Sequence, residues 1–270
     1  MALIQLNYLS RALFRTVPVN VILPVDKISH QTGEYREDKM PFKTLYLLHG
    51  MLGNYTDWVS GTRIQRFAEE KNLAVVMPSG DNAFYIDSVM PNNDYGAFIG
   101  EELVSITRKM FPLSNRREDT FIAGLSMGGF GAVRNGLKYS DTFGYIAALS
   151  GAFQILDENG FNLADESRLF GFLEEARNSD KNPLVLLDML KKEGKDLPKL
   201  YLACGLQDPL LGASRKYRDA FLQAGADLTY VEEPGGHEWD FWDRQIKCVV
   251  DWLPLDDEES GVGSGSVPKL

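Results

Sequence analysis

Thr120-Phe121-Ile122-Ala123-Gly124-Leu125-Ser126-Met127-Gly128-Gly129 decides the fold. An apolar run with strand character enters a G-x-S-x-G, and small residues then open a helical pattern. A serine between two glycines at such a junction predicts a sharp strand-to-helix turn. Gly124 and Gly128 let the strand and the helix approach closely, because neither carries a Cβ. The turn lifts the Ser126 hydroxyl off the sheet. It also leaves the Met127 N–H free at a helix N-terminus, where it can donate to a developing oxyanion. The competing reading is an ordinary glycine-rich turn, and the flanking strand and helix favour a nucleophile over it.

Similar runs lie on both sides. Phe42–Leu48, Leu73–Pro78, Tyr145–Ser150, Lys199–Gly205 and Leu228–Glu232 are short and apolar, as strands covered on both faces are. Helical spacing fills the gaps at Asp57–Asn72, Gly96–Met110, from the elbow to about Tyr139, Ser214–Ala224 and Glu238–Leu253. Strands alternating with helices predict a mostly parallel sheet of about eight strands with helices on both faces. Ala2–Leu9 and Leu13–Leu23 alternate instead, and Pro18 suits an edge, so they predict an antiparallel hairpin at the sheet margin. Asp26–Pro41 is polar and predicts an exposed loop with His30 in solvent; Ser79–Asn93 is too irregular for an element. Residues 151–197 change character: they are helical and charged, broken at Gly160, Gly171 and Pro183. They read as a helical insertion, or lid, over the active site within a single domain spanning 1–255. Phe153, Phe161, Phe170 and Phe172 are its candidate lining, with packing inside the insertion as an equal alternative. Residues 256–270 are acidic and then Gly/Ser-rich, and predict a flexible tail.

The net charge of −10, from 28 basic and 38 acidic residues, argues against nucleic acid or an anionic membrane as partner. Cys204 and Cys248 lie in apolar runs without metal spacing and read as buried thiols of a reducing compartment. Met1–Ser10 lacks a basic region followed by a long apolar stretch. The expected location is therefore the cytoplasm, with no membrane span. No metal-ligand spacing, P-loop or dinucleotide fingerprint occurs, so neither metal nor cofactor is expected. Homo-oligomerisation is left open.

A serine hydroxyl is a poor nucleophile near neutral pH. It needs a base within hydrogen-bond reach, and the base needs an orienting acid. Behind such an elbow the chain order is serine, acid, histidine. His237, in Pro234-Gly235-Gly236-His237, is the sole histidine after Ser126 and is the candidate base. Its plain reading is a loop histidine at the start of the closing helix. Asp208, in Gly205-Leu206-Gln207-Asp208-Pro209, follows a predicted strand at once and is the candidate acid, against the plain reading of a turn residue before proline. Asp188 and Asp219 fall within helical patterns, and Asp227 precedes a strand, at its wrong end. The second oxyanion donor is assigned to the Met51 N–H in His49-Gly50-Met51, alongside that of Met127. His49 reads as a structural residue that holds this loop. Trp58 and Trp239 are candidate walls of the substrate pocket, and Trp242 reads as core.

His49-Gly50-Met51-Leu52-Gly53-Asn54-Tyr55-Thr56-Asp57-Trp58, Gly124-Leu125-Ser126-Met127-Gly128-Gly129 and Gly236-His237-Glu238-Trp239 with Trp242-Asp243 resemble the esterase D family. Within it the chain resembles the tributyrin-esterase and acetylesterase branch, from the first strand to about Leu253. The resemblance implies an α/β-hydrolase fold and a serine carboxylesterase acting on small or carbohydrate-linked esters. It implies Ser126 as nucleophile, Asp208 as acid, His237 as base, and Met51 and Met127 as oxyanion hole. S-formylglutathione hydrolases of the family typically show Ser-Gly-Leu-Thr-Cys where this chain has His49-Gly50-Met51-Leu52-Gly53, which lowers the thioesterase reading. Feruloyl and acetylxylan esterases are similar relatives, acyl transfer to an alcohol would use the same triad, and the alternative outside enzymes is an inactive hydrolase scaffold used for binding.

Overall fold

The structure, a computed structural model, describes residues 1–28, 33–35, 39–157, 171 and 173–256. Eight strands among them form one sheet: β1 (Ala2–Ser10), β2 (Arg15–Leu23), β3 (Lys43–Leu48), β4 (Leu73–Pro78), β5 (Thr120–Leu125), β6 (Tyr145–Leu149), β7 (Lys199–Gly205) and β8 (Leu228–Glu233). Their spatial order is β1-β2-β4-β3-β5-β6-β7-β8. β1 and β2 pair as the predicted antiparallel hairpin, and β2 pairs antiparallel with β4. Every pairing from β4 through β3 to β8 is parallel.

The burial patterns explain the sequence patterns. β1, at the margin, alternates between exposed and half-buried positions along most of its length. β4 and β5 are buried at every position, so their sequences show no alternation. Successive side chains of β3 still point to opposite faces. Tyr46 and Leu48 join the core that also holds Phe130 and Val133, while Leu45 and Leu47 join the core that holds Trp58, Phe67 and Val249. After β3 the chain winds one way to β4 and then the other way to β5. This reversal opens a crevice between the carboxyl ends of β3 and β5, where Leu48 pairs with Gly124.

The helices follow the predicted order with local differences. The single helix expected over Asp57–Asn72 is two: α1 (Asp57–Gly61) and α2 (Ile64–Glu70). The break is enforced by neighbours. A Cβ on Gly61 would lie 2.6 Å from the Trp239 ring, and Asp243 accepts the Arg63 backbone N–H at 2.8 Å. The next helix begins as α3 (Tyr95–Ala97), widens by one turn over Phe98–Glu102, and runs on as α4 (Leu103–Met110). The elbow helix is α5 (Met127–Lys138).

Between β6 and β7 come a short turn at Phe153–Leu156, α6 (Leu173–Arg177) and α7 (Pro183–Lys192). Asn182 caps α7 through the Leu184 N–H at 3.0 Å, with proline in the first turn. Arg134 of α5 is wholly buried and ties this region down, donating to the Asp180 carbonyl at 3.0 Å and reaching the Asp87 carboxylate at 3.4 Å. Phe153 does not line the cavity that holds Ser126. It is buried and stacks on Tyr217 with ring centroids 4.1 Å apart. Phe161, Phe170, Phe172 and His30 lie outside the described residues, as do residues 257–270 of the tail.

Helix α8 (Leu211–Gln223) starts before the expected Ser214, and α9 (Trp239–Trp252) closes the described fold. Cys204 is buried as expected, but Cys248 is exposed. It sits on the side of α9 away from Ile246, Val249 and Val250, which fill the core.

The elbow rests on contact between backbones. A Cβ on Gly128 would lie 2.4 Å from the Leu48 carbonyl oxygen and 2.6 Å from that of His49. Gly128→Ala is expected to destabilise the fold by about 1–3 kcal/mol, since backbone must move to admit the methyl. Urea denaturation measures this; a midpoint equal to that of the parent contradicts the packing described.

Candidate active site

Ser126 takes φ 52° and ψ −117°, a left-handed conformation that a serine adopts at a cost of about 1–3 kcal/mol. Surrounding bonds hold it there. Its N–H donates to the Leu149 carbonyl at 2.9 Å, and its own carbonyl accepts the N–H groups of Phe130 at 3.1 Å and Ala152 at 3.0 Å. The hydroxyl is thereby fixed at the crevice, next to the end of β6.

Asp208 and His237 arrive together because β7 and β8 are parallel neighbours with Gly205 opposite Glu233. The loops beyond are stapled to each other. Leu206 N–H donates to the Glu233 carbonyl at 2.9 Å, and Gln207 N–H to the Gly235 carbonyl at 3.0 Å. The Gln207 side chain accepts the Gly235 N–H at 2.9 Å. This role for Gln207 depends on strand pairing and had no signal in the sequence.

The three side chains form one chain of hydrogen bonds. Asp208 Oδ2 lies 2.9 Å from His237 Nδ1, and His237 Nε2 lies 3.0 Å from Ser126 Oγ. Asp208 is buried, and its other oxygen accepts the Leu210 N–H at 2.8 Å. Burial alone raises a carboxyl pKa; here the His237 ring, the Ser150 hydroxyl and the Leu210 N–H outweigh it and hold Asp208 below its ordinary value. An ionised carboxylate can only accept, so Nδ1 of His237 carries the proton. Nε2 then has its lone pair directed at the serine hydroxyl. His237 is about a third exposed, whereas Asp208 is not.

The loop after β3 lies against the elbow. A Cβ on Gly50 would meet Leu125 Cδ1 at 2.6 Å and Ser126 Cβ at 3.5 Å. Among the described residues neither the Met51 N–H nor the Met127 N–H has an acceptor. His49 is buried behind this loop. The Gly80 N–H donates to its Nε2 at 2.8 Å, so Nδ1 bears the proton and donates to the Gly50 carbonyl at 2.6 Å. Burial holds its pKa below the ordinary histidine value. Asn82 Oδ1 accepts the Leu52 N–H at 2.8 Å and fixes the tip of the loop.

Over Ser126 opens a cavity of about 810 Å³. Phe84, Ala152, Leu210, Trp239 and Trp242 give it an apolar wall, and Met51 and Leu52 stand beside them. Trp58 does not line it. It is buried behind Trp239, ring centroids 5.8 Å apart, and its indole N–H donates to the Leu48 carbonyl at 3.0 Å. Trp242, expected in the core, serves both core and cavity. Phe84 comes from the irregular segment after β4, whose course depends on tertiary contacts such as the Tyr85 hydroxyl donating to the His49 carbonyl at 2.9 Å.

With its serine on the elbow and its histidine delivered from beyond the last strand, the molecule falls in the class of serine hydrolases of the α/β-hydrolase fold. The family model described as "Putative esterase" matches residues 10–250. The acetyl esterase of Caldicellulosiruptor saccharolyticus is 42% identical over 262 residues, covering 94% of this chain and 98% of its own. Among solved structures, the substrate-bound fluorophosphonate-binding serine hydrolase FphF of Staphylococcus aureus superposes with a TM-score of 0.83 at 32% identity, covering 94% of this chain and 99% of its own. The S-formylglutathione hydrolase FrmB of Staphylococcus aureus gives a TM-score of 0.81 at 34% identity, covering 93% of this chain and 98% of its own. The chain belongs to this esterase family. No helix among the described residues is long and apolar enough to cross a membrane.

His49 supplies a pH signature. Its unfolded pKa is about 6.5 and its folded pKa is lower, so below about pH 7 the unfolded chain binds a proton that the folded one refuses. Stability is expected to fall as pH drops through that window, by at most about 1.4 kcal/mol per unit from this group. Chemical denaturation between pH 7.5 and 5.5 is expected to show a shallower dependence in His49→Gln than in the parent. Equal slopes contradict the buried neutral ring.

Proposed function

We propose that the chain hydrolyses short-chain, acetyl-like carboxylic esters through an acyl-enzyme on Ser126. The observation that carries this reading is the unbroken hydrogen-bonded chain from Asp208 through His237 to Ser126. His237 Nε2 takes the hydroxyl proton as Ser126 Oγ attacks the ester carbonyl. The carbonyl oxygen becomes an oxyanion, accepting from the Met51 and Met127 N–H groups. As it collapses, the C–O bond breaks and His237 returns the proton to the leaving alcohol. Water then repeats the sequence at the acyl carbon, releasing the acid and restoring the serine. Asp208 keeps the productive tautomer and stabilises the imidazolium formed in each half. Residues 151–197 act as the lid of a single domain, and Trp239 as a wall of the substrate pocket.

The lining of the cavity supports an uncharged small ester. Among the described residues its acidic side chains are Asp57 and Glu238, and no lysine or arginine lines it. A neutral acetyl ester meets no opposing charge there, whereas a glutathione thioester brings carboxylates towards them. A thioesterase reading is favoured by the likeness to FrmB, an S-formylglutathione hydrolase. The two readings separate on rate. p-Nitrophenyl acetate is expected to exceed S-formylglutathione in kcat/KM by about tenfold or more, each 1.4 kcal/mol of discrimination counting ten. The reverse order favours the thioesterase. Two free cysteines suit a reducing compartment, and the cytoplasm is the location proposed.

Ser126→Ala is expected to lower turnover of p-nitrophenyl acetate by about a thousandfold or more, with an unchanged melting curve. Turnover comparable to the parent removes Ser126 from the reaction.

A further inference from the structure

Trp242, in core and cavity at once, makes contacts with His237 and Ser150 that the proposed chemistry does not use. The Trp242 ring stands perpendicular to the His237 ring, at 89° with centroids 4.9 Å apart. Its indole N–H donates to Ser150 Oγ at 3.2 Å. Ser150 is wholly buried, directly after β6, with φ 50°. Its backbone N–H donates to the Ala203 carbonyl at 2.8 Å, so the residue is pinned to β7. The Trp239 ring also packs on Trp242, centroids 5.2 Å apart at 89°.

A histidine on a loop can rotate about two side-chain bonds. The bond to Asp208 restrains one nitrogen but leaves the ring able to swing about that contact. A flat, immobile neighbour removes this freedom. Trp242 is immobile because a buried indole N–H must keep its acceptor, and Ser150 is the acceptor present. The Ser150 hydroxyl, having accepted from the indole, retains a proton of its own to give. Asp208 is beside it, and the hydroxyl is among the groups that favour the ionised carboxylate. Ser150 thus meets the acid on one side and the support of the base on the other.

We infer that Trp242 and Ser150 are a positioning pair, linking α9 to the end of β6, that holds the His237 ring in line between Asp208 and Ser126. The inference rests on the catalytic reading above for its kinetic consequence, but not for its geometric one.

Trp242→Phe keeps an aromatic ring against His237 and removes the N–H; Ser150→Ala removes the acceptor. The substrate-free test is the proton resonance of His237 Nδ1–H. Its exchange with water is expected to quicken about tenfold in each variant, because the ring leaves its hydrogen bond more often. On p-nitrophenyl acetate, kcat is expected to fall about tenfold with KM within about twofold, the pattern of a lost alignment rather than lost binding. The double variant is expected to be no slower than the slower single, since both changes break one link. Parent-like exchange in Trp242→Phe overturns the inference. So does a raised KM with unchanged kcat, which marks a pocket wall alone. If Ser150→Ala does not fold, Trp242→Phe decides. If the parent cleaves no ester, the proposed function falls, and the Nδ1–H exchange still decides this inference.

Discussion

The site depends on a close backbone approach at the elbow. A Cβ on Gly124 would lie 2.3 Å from the Gly128 carbonyl oxygen, and one on Gly128 would strike the carbonyls that end β3. Strand, helix and neighbouring strand end meet with nothing but hydrogen between them. That contact leaves Ser126 in a left-handed conformation, held by hydrogen bonds to the end of β6, to Ala152 beyond it and to the first turn of α5. The strain is local, and the surrounding parallel sheet, buried on both faces, over-determines it.

Everything else at the site is brought to this point by strand adjacency. β3 carries the loop with the Met51 amide, β6 ends at Leu149 and Ser150, β7 delivers Asp208, and β8 delivers His237. Three titratable groups at or behind the crevice receive different environments. Asp208 is buried and hydrogen-bonded, which keeps it charged without exposing it. His237 has one nitrogen committed to Asp208 and the other at the serine. His49 is buried with both nitrogens occupied by backbone partners, which makes it a brace for the loop and leaves it no lone pair for chemistry.

Much of this was readable in the chain. Buried parallel strands are apolar throughout, so β4 and β5 stand out, and the marginal hairpin alternates as half-exposed strands must. The elbow spells itself in glycine because backbone contact tolerates nothing larger. Asp208 and His237 were found because each follows a strand at its carboxyl end. What stayed hidden depends on tertiary contact. The α1–α2 break follows from Trp239 packing on Gly61. Trp58 looked like a pocket wall from its position, yet it turned its N–H to Leu48 and left that place to Trp239. Gln207, Asn82, Phe84 and Ser150 lie in loops whose paths no periodicity reports.

The central claim is that one hydroxyl, Ser126 Oγ, is activated by His237 in the folded protein. Reaction of the native protein with a fluorophosphonate, followed by peptide mapping by mass spectrometry, tests it directly. The account predicts a single adduct on Ser126, absent from the unfolded chain and strongly slowed in His237→Ala. No adduct on the native protein, or an adduct on another residue, contradicts it.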